Sequence, residues 1–141
     1  MAKLIIVSNR LPFSVHEAED GSFAIRQNVG GLATAIGPYH AAHRNCVWVG
    51  WSGDDPERYS DEQVESIRAA YESKRCTALF LSAEQTAGFY SGFSNDTLWP
   101  LFHDFSHEAV FDAKTWEKYQ EVNRLFAEAV APVAQPGDTV W

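Results

Sequence analysis

A short apolar run near the start of the chain, Leu4-Ile5-Ile6-Val7, is cut off at once by Ser8-Asn9-Arg10 and then by Pro12. The run does not alternate with polar residues. A strand of this kind is covered on both faces, which points to a parallel sheet rather than to a one-sided antiparallel one. Parallel neighbours need crossover connections, usually helices. The remainder of the chain should therefore alternate strand and helix.

It does. Residues 14–29 are polar and hold the turn pair Asp20-Gly21, so they read as a hairpin or an excursion loop. Val29-Gly30-Gly31-Leu32 leads into a helix-spaced apolar set, Ala33, Ala35, Ile36, Tyr39 and Ala42, in which Pro38 predicts a kink or a break. Cys46–Trp51 is a second short strand, ended by the loop Ser52-Gly53-Asp54-Asp55-Pro56. Ser60 with Gln63 forms a capping box, and Val64, Ile67 and Tyr71 predict an amphipathic helix over 61–74. Thr77–Leu81 is a third strand. Ser82 with Gln85 is a second capping box and opens a helix near 83–91; residues 100–105 carry no clear pattern. Trp116, Tyr119, Val122, Phe126 and Val130 predict a long helix over 113–131, ended by Pro132 and Pro136-Gly137, and 138–141 begins another strand. This order gives an α/β fold with a parallel sheet, and right-handed crossovers place ligand groups at the carboxyl ends of the strands.

Composition narrows the function. Lys and Arg total 11 against 19 Asp and Glu, a net charge of −8. So acidic a chain is a poor partner for nucleic acid or an anionic membrane, and any phosphate it binds must be held by local geometry. No apolar run approaches the ~20 residues of a membrane span, and the first residues lack the pattern of a signal peptide. Cys46 and Cys76 form neither a CxxC pair nor a zinc set and read as buried reduced thiols. A cytoplasmic enzyme or enzyme fragment fits best. Five Trp, five Tyr and nine Phe fill a core or supply flat faces for sugars.

Three places could carry chemistry. Arg10 follows the first strand directly, and its guanidinium offers the forked donors that match a phosphate or carboxylate; a surface arginine paired with an acid is the plainer alternative. Gly30-Gly31 precedes a helix, where backbone can approach an anion, although such a pair is commonly a turn without a ligand. Phe89-Tyr90-Ser91-Gly92-Phe93-Ser94-Asn95-Asp96-Thr97-Leu98-Trp99-Pro100 interleaves aromatic, small and polar residues. Phe89, Phe93 and Leu98 suit the core, while Tyr90 and Trp99 each pair an apolar face with one polar donor. His103 and His107, four apart, lack the intervening Glu and a third ligand, so no metal site is expected.

The segments Leu4 to Pro12, Gly30-Gly31-Leu32-Ala33, Trp48-Val49-Gly50-Trp51-Ser52-Gly53, and Phe89 to Asn95 followed by Leu98-Trp99-Pro100-Leu101-Phe102-His103 occur in an order that resembles the trehalose-6-phosphate synthase family. Trp116, Tyr119, Val122-Asn123 and Phe126-Ala127 resemble that family's next helix, so the resemblance covers essentially the whole chain. It implies a retaining glucosyltransferase of the GT-B arrangement, two Rossmann-like domains facing across a cleft. Such an enzyme moves glucose from UDP-glucose to glucose 6-phosphate, giving α,α-trehalose 6-phosphate and UDP, with no cofactor and no mandatory metal. By the same resemblance Arg10 and Tyr90 contact the acceptor phosphate, Trp99 shapes the acceptor site and its anomer selectivity, Trp51 is a weaker candidate nearby, and Gly30 and Gly31 lie at the donor diphosphate.

The family continues beyond Val140-Trp141 into a His-Asp-Tyr-His motif and a C-terminal donor-binding domain. Residues 1–141 are therefore expected to form an incomplete, acceptor-side N-terminal domain, catalytically silent alone, whose exposed edge favours a homo-oligomer or poor solubility. Related readings are a synthase for another acceptor, such as glucosylglycerol phosphate synthase, a pseudo-glycosyltransferase, or a non-catalytic regulatory module that binds sugar phosphate.

Overall fold

The computed structural model describes residues 2–141. In chain order it contains β1 (Leu4–Arg10), β2 (Phe13–Glu17), β3 (Phe23–Gln27), α1 (Gly31–Ala42), β4 (Cys46–Trp51), α2 (Asp61–Glu72), β5 (Cys76–Leu79), α3 (Ala83–Thr86), a π-helical stretch (Ala87–Leu98), α4 (Trp99–Phe102), α5 (Ala113–Val130) and β6 (Thr139–Val140). The main sheet has the order β5-β4-β1-β6 and is parallel throughout. Its strands run third, second, first, fourth, the doubly wound order in which the chain reverses direction across the sheet beside β1. Ligands of such sheets bind outside the carboxyl ends of the strands at that reversal.

The core follows from the apolar runs. Ile5 and Ile6 alternate between the two faces of β1: Ile6 packs with Trp48, Ile67 and Tyr71 on one side, and Ile5 with Val49 and Leu79 on the other. Each such side chain stabilises the fold by about 1.5–3 kcal/mol on burial. Cys46 and Cys76 are free and buried in the first of these clusters, and burial pushes the Cys76 thiol up to about 12. At neutral pH it is a small apolar filler, not a nucleophile.

The polar segment after β1 is a hairpin, β2 pairing with β3 in antiparallel register about the Asp20-Gly21 turn, where Gly21 adopts a φ of +78°. Both capping boxes form as read. Ser60 and Ser82 accept from the Gln63 and Gln85 amides, and each glutamine side chain accepts from the cap amide in return.

One helix is unbroken by its proline and one runs longer than the sequence suggests. Pro38 lies inside α1, yet the helix runs on to Ala42. The carbonyl that loses its partner belongs to exposed Thr34, where water can replace the missing bond. The helix opened by Ser82 does not stop near residue 91 but continues to Phe102 through the π-helical stretch, where the Trp99 amide reaches the Ser94 carbonyl five residues back. Close packing accompanies this widening: a Cβ at Gly88 would lie 2.6 Å from Lys118 Cβ, and one at Gly92 would lie 2.7 Å from Thr115 Cγ2. The stretch thus lies directly on α5, with Phe89 against Tyr119 and Phe93 against Trp116 and Tyr119.

Candidate functional site

A cleft of about 380 Å³ opens at the carboxyl end of β1, beside the strand-order reversal. Two stretches form most of its wall, Ser8–Pro12 at and just past the end of β1 and Asn28–Ala33 leading into α1, joined by buried Trp48. The wall is held by a chain of polar contacts. The Trp48 indole donates to Ser8 Oγ at 2.8 Å, and the Ser8 hydroxyl donates to the Arg10 carbonyl at 2.8 Å. Asn28 ties the far side down through its side-chain amide to the Leu11 carbonyl, its backbone amide to the Pro12 carbonyl, and the Ser14 hydroxyl, which donates to Asn28 Oδ1.

On the α1 side, Gly30 caps the helix with extended backbone, no side chain fills the cap, and no acid stands in the first turn. Nothing lies within 4 Å of where a Cβ on Gly30 or Gly31 would sit. The first-turn amides, which no side chain caps, belong to residues that line the cleft, a local positive pole in an acidic protein.

Arg10 lies on the other wall. Its guanidinium sits 5.8 Å from the Trp51 ring centroid and 3.5 Å from the Ser14 hydroxyl. Among the described residues it makes no ion pair, unlike Lys3, Arg68 and Lys118. In this structure the guanidinium is not spent on a surface acid. Gly53, in the loop after β4, seats it: a Cβ there would lie 2.7 Å from two of the guanidinium nitrogens. The loop is anchored in turn by Tyr71 of α2, fully buried, whose hydroxyl lies 3.1 Å from the Ser52 carbonyl and 3.3 Å from that of Phe13. Burial first, and then the negative charge of Asp54, push the Tyr71 hydroxyl far up, so it stays a proton donor.

Trp51 and Gly53 also line a second cleft of about 420 Å³ with Arg58, Ala83, Thr86, Ala87 and Ser91. Tyr90 and Trp99 line neither cleft. They stand on the helical stretch above α5, 44% and 61% exposed, with Trp99 stacked on His103 at 3.8 Å. The structure therefore brings Arg10, Gly30 and Gly31 to one cleft, puts Trp51 beside it, and leaves Tyr90 and Trp99 exposed on the helical stretch outside it. His103 ends α4 and His107 lies in a separate short turn, and no group of three metal-ligating side chains occurs among the described residues.

Gly53 and Tyr71 escaped the sequence reading. Gly53 closes the Trp48–Gly53 motif, which carries the resemblance without giving the glycine a role, whereas Tyr71 is indistinguishable in sequence from any core position of an amphipathic helix.

The model of glycosyltransferase family 20 matches residues 2–141. The chain belongs to this family. Among family relatives, a bifunctional trehalose-6-phosphate synthase/phosphatase of Thermoproteus tenax is 44% identical over 99% of this chain and 19% of its own length. A trehalose-6-phosphate synthase of Mycobacterium sp. (strain JLS) is 41% identical over 97% of this chain and 27% of its own. The chain thus spans about a fifth to a quarter of the curated relatives it matches. Two solved structures share the fold at 27% identity, each over 99% of this chain and 27% of its own. One is the trehalose-6-phosphate protein from E. coli bound with UDP-2-fluoro glucose, at a TM-score of 0.67. The other is a UDP-forming α,α-trehalose-phosphate synthase from Burkholderia xenovorans in complex with glucose-6-phosphate, at 0.64. The parallel α/β domain of family 20 is therefore the GT-B type expected from the sequence, and no helix among the described residues is long and apolar enough to cross a membrane.

Proposed function

We propose that this chain supplies the acceptor side of a UDP-forming α,α-trehalose-phosphate synthase, which transfers glucose from UDP-glucose to glucose 6-phosphate in the cytoplasm. The observation that carries the reading is the pairing, in one cleft, of an arginine without an acidic partner and a helix N-terminus without a cap side chain or an acid. Each is an anion-binding element, and the reaction has two phosphorylated substrates.

In this reading Arg10 binds the acceptor phosphate, and the amides that follow Gly30 and Gly31 meet the donor diphosphate as charge develops on it. Side-chain-free positions there let phosphate oxygens approach the backbone. Trp51 gives Arg10 a flat apolar face that limits its motion and its hydration. Tyr90, next to Ser91 of the second cleft, adds its hydroxyl to the acceptor phosphate, and Trp99 shapes the acceptor site. None of these contacts calls for a metal. The ligands bound by the E. coli and Burkholderia proteins support the two substrate assignments. The exposed rings of Phe102, Phe105, Phe111 and Trp116 support self-association; a single monomeric species in sedimentation at high concentration would contradict it.

The test is a chimera in which this chain replaces the matching N-terminal segment of the Mycobacterium relative. UDP and trehalose 6-phosphate should form from UDP-glucose and glucose 6-phosphate, and should be lost with Arg10→Ala. A folded chimera that ignores glucose 6-phosphate but uses another acceptor phosphate would reassign the substrate.

A further inference from the structure

Asn9 is the residue the sheet leaves over. Ser8 lies opposite Gly50 and Arg10 opposite Trp51, so Asn9 is the extra residue of a bulge in β1. Bulges interrupt pairing and re-aim side chains, commonly beside functional sites. Here the bulge stands at the mouth of the main cleft, which Asn9 lines together with Arg10, Gly30 and Gly31.

The Asn9 carboxamide oxygen is buried and has no hydrogen-bond partner. Such an atom is costly in a folded protein and calls for a reason. The other asparagine of the same cleft makes the contrast: Asn28 donates to the Leu11 carbonyl and accepts from the Ser14 hydroxyl, so its carboxamide is committed to the protein. Asn9 is left free beside the two anion-binding elements.

We propose that the Asn9 carboxamide, whose oxygen is turned into the cleft wall and sealed from solvent, swings toward the cleft when a phosphorylated hexose is held there, and that Oδ1 then accepts a hydrogen bond from a sugar hydroxyl and so helps to select the sugar. The assignment rests on the sugar-phosphate reading of the cleft given above. Oδ1 can only accept, and a phosphate group at neutral pH offers few protons, so its partner is a hydroxyl and the phosphate is left to Arg10 and the α1 amides. The hexose could belong to the acceptor or to the nucleotide-sugar donor; the chemistry is shared, and the experiment separates them.

The full chain and its Asn9→Ala variant are titrated with inorganic phosphate, glucose 6-phosphate and UDP-glucose, following Trp48 and Trp51 fluorescence, and both proteins are melted without ligand. Asn9→Ala should weaken glucose 6-phosphate or UDP-glucose roughly tenfold, leave phosphate within about twofold, and not lower the melting temperature, because it removes an unsatisfied group. The ligand that loses affinity identifies the source of the hydroxyl. Unchanged affinity for both sugars overturns the assignment alone, as does a clear fall in ligand-free melting temperature, the mark of a structural role. Absence of sugar-phosphate binding by the folded parent chain overturns the reading of the cleft and the assignment together.

Discussion

A Cβ placed on Gly53 would lie 2.7 Å from both Nε and Nη2 of Arg10, and Gly53 itself adopts a φ of +91°. Glycine is required twice over, by the backbone and by the guanidinium against it. Gly53→Ala should cost about 1–3 kcal/mol in stability and also displace Arg10. Gly21→Ala separates the two effects, because Gly21 has a φ of +78° but open space around it. Both variants should melt lower, and only Gly53→Ala should lose affinity for glucose 6-phosphate. Equal binding by the two would show that Gly53 does not seat the arginine.

Tyr71 links two strand-end loops through one hydroxyl, reaching the carbonyls of Ser52 and Phe13. Tyr71→Phe keeps the ring in the core but leaves the buried Ser52 carbonyl without the one proton the hydroxyl donates. A loss of about 1–2 kcal/mol in chemical denaturation is expected. Affinity for phosphate ligands should fall as well, since the Ser52-Gly53 loop is what holds Arg10. A variant as stable as the parent would mean that the hydroxyl bond contributes nothing.

His40 is buried edge-on against Trp48, with Nε2 unpartnered. Burial, and then the nearby Arg75 charge, hold its pKa below the usual histidine value of about 6.5. The unfolded chain therefore takes up a proton that the native state resists. The sign is fixed: His40's contribution is fully present above pH 6.5 and is lost as pH falls below it. Melting temperature should drop between pH 7 and 5.5, and His40→Gln should flatten that slope. An unchanged slope in the variant would place the acid sensitivity elsewhere.

Much of the fold was legible because its signals are local. The apolar runs of β1 and β4, the Asp20-Gly21 turn and the Ser60–Gln63 and Ser82–Gln85 boxes each lie within a few residues of their cause. Pro38 does not break α1 because a helix can lose one exposed hydrogen bond and continue. The π-helical stretch depends on how closely Gly88 and Gly92 approach α5, a contact across more than 20 residues. At the site, Arg10 and Gly30-Gly31 were visible as residue types with matching chemistry. The bulge at Asn9, the seat at Gly53 and the Tyr71 clamp arise only when β1, β4 and α2 come together. Tyr90 and Trp99 stand exposed, as amphipathic rings can, but line neither cleft.

The proposed function requires Arg10 to hold the phosphate of a sugar phosphate in the β1 cleft. Titration of the chain with glucose 6-phosphate by tryptophan fluorescence tests it most directly, with Arg10→Ala alongside. Binding should be saturable and should weaken at least about tenfold in the variant, as expected for loss of a charge-assisted hydrogen bond. Equal affinity in parent and variant would contradict it.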